Sequence, residues 1–189
     1  DERFRPVNQH NGPDGALYVA DLYDAIIGHY QVSFRHPDRD KTRGRIWRIT
    51  VKDRPLLAPP KIAGASLPEL FALLRSRDRW PREQARRVLF GGDTAHVTGE
   101  LLRWCERLDP AAPDREFALA QAIGVFAAHE TPVPGVLDLL LAAKAPEARA
   151  VGAGMLSRWS ERLPAGFDPV GRLQRLACDP DPRVRLAAV

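Results

Sequence analysis

Four proline-led phrases recur after residue 60, and their spacing restricts the fold more than anything else in the sequence. Pro81-Arg-Glu-Gln-Ala-Arg-Arg-Val-Leu, Pro113-Asp-Arg-Glu-Phe-Ala-Leu-Ala, Pro146-Glu-Ala-Arg-Ala-Val-Gly-Ala and Pro182-Arg-Val-Arg-Leu-Ala-Ala-Val are separated by 32, 33 and 36 residues. Each reads as a charged-then-apolar helix start. An apolar helical stretch precedes each one: Leu67–Leu74, Val97–Leu108, Val133–Ala143 and Val170–Ala177. A helix pair of this length cannot bury its apolar face alone, so the pairs must stack as an α-solenoid. Ala85, Ala118, Ala150 and Ala187 are small enough to let the helices approach closely. Ser66-Leu-Pro-Glu69 supplies a capping box with proline early in the first helix.

The first part of the chain has a different character. Tyr18, Tyr23 and Tyr30, all the tyrosines of the chain, fall there, whereas alanine becomes dense only after residue 60. Strands are expected first and helices afterwards. Phe4–Gln9 reads as a weak strand. Asn11-Gly12-Pro13-Asp14-Gly15 is turn chemistry, with Gly15 able to take positive φ. Ala16–Asp21 alternates, and Arg45–Val51 closes the sheet. Asp14 and Asp21 are expected to fix turn and strand through backbone hydrogen bonds rather than to bind a metal. The expected fold class is α+β, mainly α: about three antiparallel strands over residues 1–54, a Pro-rich linker over 55–65 with Pro55, Pro59 and Pro60, and the solenoid over 66–189. Three strands make a marginal sheet with exposed edges, so further sequence upstream is expected to cover it. The final helical phrase lacks a polar cap, and the solenoid is expected to be truncated as well.

Charge and hydropathy exclude some roles. Residues 1–55 carry ten Lys/Arg against eight Asp/Glu, and the remainder eighteen against sixteen, an even excess that argues against a phosphate-binding surface. Arg75, Arg77, Arg79, Arg82, Arg86 and Arg87 form the one basic cluster. It reads as a nucleic-acid contact, as pairing with the neighbouring repeat, or as a solvated face, and thin aromatic interleaving speaks against the first. No apolar run is long enough to span a membrane, and no charged-then-apolar leader opens the sequence. Cys105 and Cys178 both sit in apolar helical patterns and read as packing residues, with a disulfide as the alternative. No Cys-x-x-Cys-His occurs. His96 and His129 stand alone near helix ends, while Trp104 and Trp159 fall on apolar faces.

The excursion from Leu22 to Arg43 is the best candidate for function, because long loops between strands carry binding groups. His29 reads as a base or ligand, with Arg35 or Arg43 holding an anionic group, and His36, Asp38 and Asp40 complete the ligand-binding set. The same loop reads more readily as a solvated, mutually paired segment, with Asp38, Arg39, Asp40 and Lys41 pairing among themselves. Asp38-x-Asp40 has a calcium-like spacing, but the other positions of a calcium loop are missing, and no metal site is expected.

Phe4-Arg-Pro-Val-Asn8, Gly12-Pro-Asp-Gly-Ala-Leu-Tyr-Val-Ala-Asp21, Ile26-Ile-Gly-His29, Ser33-Phe-Arg35, Pro37-Asp-Arg-Asp40 and Gly44-Arg-Ile-Trp-Arg-Ile49 together resemble the end of the propeller in bacterial PVC-type membrane-bound dehydrogenase or haem-binding proteins. Asp179-Pro-Asp-Pro-Arg-Val-Arg-Leu-Ala-Ala-Val189 resembles the second helix of a HEAT repeat. The linker and HEAT-like helices follow in the same order there. The resemblance implies a partial β-propeller blade followed by HEAT-like helical pairs, in a parent that is exported to the periplasm and membrane-associated. That parent would be a sugar-dehydrogenase-like enzyme using a PQQ-like quinone and a c-type haem. No cofactor is expected in this piece, which lacks the upstream blades and the cytochrome motif. The solenoid would link the propeller to a redox module or protein partner. A non-enzymatic propeller and HEAT-repeat scaffold is the alternative.

Overall fold

A computed structural model describes residues 3–26 and 32–189. The fold is mainly α with one antiparallel sheet among the described residues, and the chain divides into two compact units, one of Asp1–Lys61 with Asp78–Trp80 and one of Ile62–Arg77 with Pro81–Val189. Strands β1 (Pro6–Asn11), β2 (Leu17–Asp21) and β3 (Arg45–Ile49) lie in the order β1-β2-β3. The first strand starts and ends two residues later than the sequence pattern suggests. Its pairing with β2 runs from Pro6↔Asp21 to Asn11↔Leu17, with an irregularity between Pro6 and Asn8. Such a bulge bends the strand locally. Between β2 and β3 the register pairs Leu17 with Ile49, Val19 with Trp47 and Asp21 with Arg45. Because side chains alternate along a strand, these six share one face, while Tyr18, Ala20, Ile46 and Arg48 share the other. Ile46 is 76% exposed and Ile49 51% exposed, so β3 is an edge strand with apolar side chains in the open.

The turn before β2 is built around Asp14 and Gly15. Gly15 has φ +77°, a left-handed conformation that costs a residue with a Cβ, and the added Cβ would also meet the Leu57 side chain at 3.1 Å. Leu57, in the segment after β3, donates its N–H to Asp14 O at 2.9 Å.

Eight helices follow: α1 (Leu67–Leu74), α2 (Arg79–Phe90), α3 (Thr94–Glu106), α4 (Arg115–Ala128), α5 (Pro134–Leu141), α6 (Pro146–Trp159), α7 (Pro169–Leu176) and α8 (Pro182–Ala187). In chain order they run as four successive pairs, with α3 packing on α4 and α5 on α6. At the start of α1 the Ser66 N–H donates to the Glu69 carboxylate at 2.6 Å. Helix α6 packs against α4, α5, α7 and α8 and is the hub of the unit. Its approach to α5 depends on Gly152, where a Cβ would lie 3.1–3.2 Å from Leu140 and Leu141. That glycine, with buried Ala148, makes the close contact expected of Ala150, which is only half-buried.

Pro146 and Pro182 lead their helices, where a missing N–H costs nothing. Pro81 does not. It is the third residue of α2 and is buried, which the first turn of a helix tolerates. The structural repeat is marked instead by an arginine. Arg82 donates to Ser76 O at 2.7 Å and to Arg77 O at 3.4 Å. Arg149 does the same to Ala143 O and Lys144 O at 3.0 and 2.8 Å, and Arg185 to Asp179 O and Pro180 O at 2.8 and 2.9 Å. Each thus holds two carbonyls of the turn inside its own pair, just beyond the end of the preceding helix. Pro81, Ala148 and Val184 each stand one residue before these arginines, and all three are buried. In the second pair Glu116 acts across the pairs instead, accepting from the N–H groups of Lys144 and Ala145 at 2.7 and 2.8 Å.

Ion pairs also join successive helix pairs. Arg75 grips Asp114 through two bonds of 2.6 and 2.7 Å, and Arg149 grips Asp179 through two of 2.8 and 2.9 Å. Such two-pronged contacts are the stronger kind of ion pair. Glu130 receives both Arg158 and Arg162, and Glu147 receives Arg183. The apolar core between them includes Leu89, Leu101, Phe126, Leu140, Leu156 and Trp159, all fully buried.

The two cysteines differ, and no disulfide joins them. Cys105 is buried on α3, and burial pushes its thiol up to about 12. Cys178 is exposed, because α7 ends at Leu176 and the residue falls in the following turn rather than on an apolar helix face. His129 is not isolated either. Its Nε2 lies 2.8 Å from Leu89 O, which can only accept, so the neutral ring carries its proton there and Nδ1 accepts from the Thr94 hydroxyl at 3.0 Å.

Two outcomes test this packing. Phe126→Ala is expected to destabilise the helical unit by about 3–5 kcal/mol, read from denaturant unfolding. A thiol reagent is expected to titrate Cys178 alone in the native protein and both cysteines after denaturation, counted by absorbance.

Candidate functional site

The end of β2 builds the site. Asp21 is buried, and its carboxylate accepts four hydrogen bonds: from Arg5 N–H at 2.8 Å, Tyr23 N–H at 3.0 Å, Arg45 Nε at 2.8 Å and Trp47 Nε1 at 2.9 Å. Burial by itself opposes the charged form. The donors from Arg5, Trp47, Tyr23 and Arg45 outweigh it and hold the carboxyl well below the usual range. The bond to Tyr23 N–H, two residues on, is an Asx turn. It leads the chain into a left-handed residue, Tyr23, with φ +57°. That conformation is uncommon for a residue with a bulky side chain and is tolerated where the surroundings enforce it. Three guanidinium groups surround its ring. Arg45 lies 4.2 Å from the Tyr23 ring centroid, Arg43 5.3 Å and Arg3 5.4 Å, and Arg45 also stacks on Trp47 at 4.9 Å.

A second buried carboxylate fixes the loop. Asp24 accepts the Ile26 N–H at 2.9 Å and pairs with Arg39 at 3.4 Å, both side chains being largely out of water. Arg39 also donates to Ser33 O at 3.0 Å, Val32 O at 3.2 Å and Ile26 O at 3.3 Å, and lies over the Phe34 ring. Further along, Asp40 accepts from the N–H and hydroxyl of Thr42, each at 3.1 Å, and pairs with Arg43 at 2.7 Å. The Thr42 N–H is the largest of the contributions that lower the Asp40 pKa.

These ties enclose a cleft of about 310 Å³ between Tyr23 and the 37–43 segment. Its wall includes Arg3, Tyr23, Asp38, Asp40, Lys41 and Arg43. Of the loop candidates read from sequence, Asp38, Asp40 and Arg43 therefore face one cavity. His36 stands beside it, its Nδ1 accepting the Asp38 N–H at 3.2 Å. Arg35 is exposed and does not line the cleft; its N–H donates to Ser33 Oγ at 3.1 Å. His29 lies outside the described residues. Asp14 sits in the turn, accepting from Ala16 N–H and the Tyr18 hydroxyl at 3.1 Å each and from Arg48. Burial raises its pKa, and the bonds from Ala16, Arg48 and Tyr18 bring it below the ordinary value.

Sequence reasoning missed Tyr23, Arg3 and Lys41 as cleft residues and Asp24 and Arg39 as the pair that shapes it. The spacing Asp21-Leu-Tyr-Asp24 was the available signal, since two Asx acceptors so close together dictate a tight turn.

Among the described residues, no group of three or more potential metal ligands comes together. No described helix is long and apolar enough to cross a membrane. The basic cluster at the start of the helical unit is largely engaged internally: Arg75 with Asp114, Arg77 and Arg82 over the Phe117 ring at 5.9 and 5.3 Å, and Arg86 with Glu83.

Residues 1–53 match the family described as "Domain of unknown function (DUF7133)", which covers the sheet and its loop and stops before the helices. No curated protein and no solved structure matches the chain.

The Asp21 network sets an acid limit. An unfolded aspartate has a pKa of about 3.9, and the folded value is lower. Its stabilisation is therefore complete above the unfolded value and is lost as pH falls through the folded one. Asp21→Asn is expected to destabilise the N-terminal unit at neutral pH, and its deficit relative to the wild type is expected to shrink below about pH 4. The Trp47 indole N–H resonance, followed by NMR during acid titration, reads both.

Proposed function

We propose that the chain is the ligand-presenting part of an exported, dehydrogenase-like redox protein of the sugar/quinoprotein type. In this reading the N-terminal unit takes a polyhydroxylated, sugar-like ligand in the Tyr23 cleft. The HEAT-like helical unit links it to a redox module or protein partner. The PVC-type resemblance supports the setting. Periplasmic location and membrane association belong to the same proposal and rest on the resemblance.

The observation that carries the ligand reading is the mixture of groups on one small cleft. Exposed Asp38 accepts and Lys41 donates, beside an Arg43–Asp40 pair already made and next to the Tyr23 ring. Hydroxyl groups both donate and accept, so a sugar ring satisfies such a surface without bringing a charge into it. A PQQ-like quinone fits it poorly. Its carboxylates would meet Asp38 and Asp40, while Arg39 and Arg43 are already committed to Asp24 and Asp40. A c-type haem fits no better, because Cys105 is a buried thiol and Cys178 stands far from it in sequence.

A second reading is a non-enzymatic scaffold, favoured by the successive ion pairs that make the helical unit a rigid surface. Calorimetric titration with D-glucose and L-sorbose separates the two. Saturable binding that weakens about tenfold in Asp38→Asn, with the melting temperature unchanged, is expected for the ligand reading. Asp38 is 80% exposed, so its removal has little reason to unfold the loop. Absence of saturable binding to either sugar would favour the scaffold.

A further inference from the structure

The helical unit holds a concavity of its own, a groove of about 450 Å³ between α5 and α7. That is inside the range of about 300–1,000 Å³ over which ligand clefts occur. Leu141, Ala142 and Leu176 supply its apolar surface, and Asp138, Arg172 and Arg175 its polar one. The groove follows from the packing of α7. No residue of that helix is fully buried, although Leu173 and Leu176 lie on its apolar side. Its leucines are therefore only half covered.

The charges on the groove are not equivalent. Arg172 pairs with Asp138 across the gap and stacks on Phe167 at 4.1 Å, so those two charges cancel and are held in place. Arg175 is exposed, and its guanidinium makes no ion pair or side-chain hydrogen bond among the described residues. What remains is one uncompensated cation beside an apolar floor. A nucleic acid would need several such cations and no apolar floor. A strongly basic segment would be repelled.

We propose that this groove docks an acidic protein segment. Its aliphatic side chain seats on Leu141, Ala142 and Leu176, and its carboxylate pairs with Arg175. Apolar contact supplies most of the affinity, and the single ion pair at the rim selects charge and orientation. The inference deepens the partner role proposed for the helical unit. It is read out separately from the sugar titration, which concerns the N-terminal cleft alone.

The test is fluorescence anisotropy of the whole chain with a short labelled peptide of leucine and glutamate, beside a leucine and lysine counterpart of the same apolar spacing. The acidic peptide is expected to bind, and Arg175→Glu to weaken it by about tenfold while strengthening the basic one. Arg175→Gln is expected to fall between, and circular dichroism of both variants to match the wild type. Equal binding of the two peptides, no binding of the acidic one, an affinity indifferent to residue 175, or equal capture of a labelled oligonucleotide would overturn the proposal.

Discussion

One buried carboxylate organises the N-terminal unit. Asp21 ties β1 through Arg5, β3 through Arg45 and Trp47, and the next turn through Tyr23. A charge taken out of water is costly unless every lone pair finds a donor. Here four donors converge on it from three separate stretches of chain, so the carboxylate is stable only when the sheet is assembled in this register. The same carboxylate holds Arg45, which lies over the Tyr23 ring, and accepts the N–H of Tyr23 in its left-handed turn. The cleft is therefore a consequence of the sheet rather than an independent loop structure. Asp24 and Arg39 repeat the device on a smaller scale, holding the segment from Val32 to Asp40 against the end of the strand.

The helical unit solves a different problem. In three of the four successive helix pairs the turn carbonyls are gripped from the following helix, by Arg82, Arg149 and Arg185. Arg149 then reaches on to Asp179 in the next pair, coupling a local cap to the stacking of successive pairs. Exposed ion pairs contribute little individually. Arg149–Asp179 is different because both side chains are largely shielded from water. Burial of Phe126, Leu156 and Trp159 supplies the main driving force, and the arginines fix the register.

Much of this architecture was legible in the sequence. Helix pairs announce themselves through local apolar periodicity and proline, and all eight helices fall where that pattern places a helical phrase. The register of the second pair-member was less legible. Pro81 resembles Pro146 and Pro182 in sequence but stands two residues deeper in its helix. Only the arginine contacts, made through space to carbonyls, reveal the true equivalence. The alternation of Ala16–Asp21 likewise foretold β2, whereas the weak pattern before it left β1 uncertain by two residues at each end. In the loop, Asp38, Asp40 and Arg43 stood out as charged residues in an excursion. Tyr23 did not, because its role depends on guanidinium groups contributed by Arg3, Arg43 and Arg45, and nothing local to Tyr23 specifies them. Cys178 was misread for a similar reason, since the helix it seemed to belong to ends two residues earlier.

The dependence of the whole N-terminal unit on Asp21 is open to direct measurement by amide hydrogen exchange. The N–H groups of Arg5 and Tyr23 are bonded to the Asp21 side chain rather than to a strand neighbour. If that carboxylate holds the unit together, both amides exchange as slowly as those in the middle of β2, and all become fast together in Asp21→Asn. Rapid exchange at Arg5 and Tyr23 beside protected β2 amides would contradict it, leaving the strand pairing to stabilise the sheet without the buried charge.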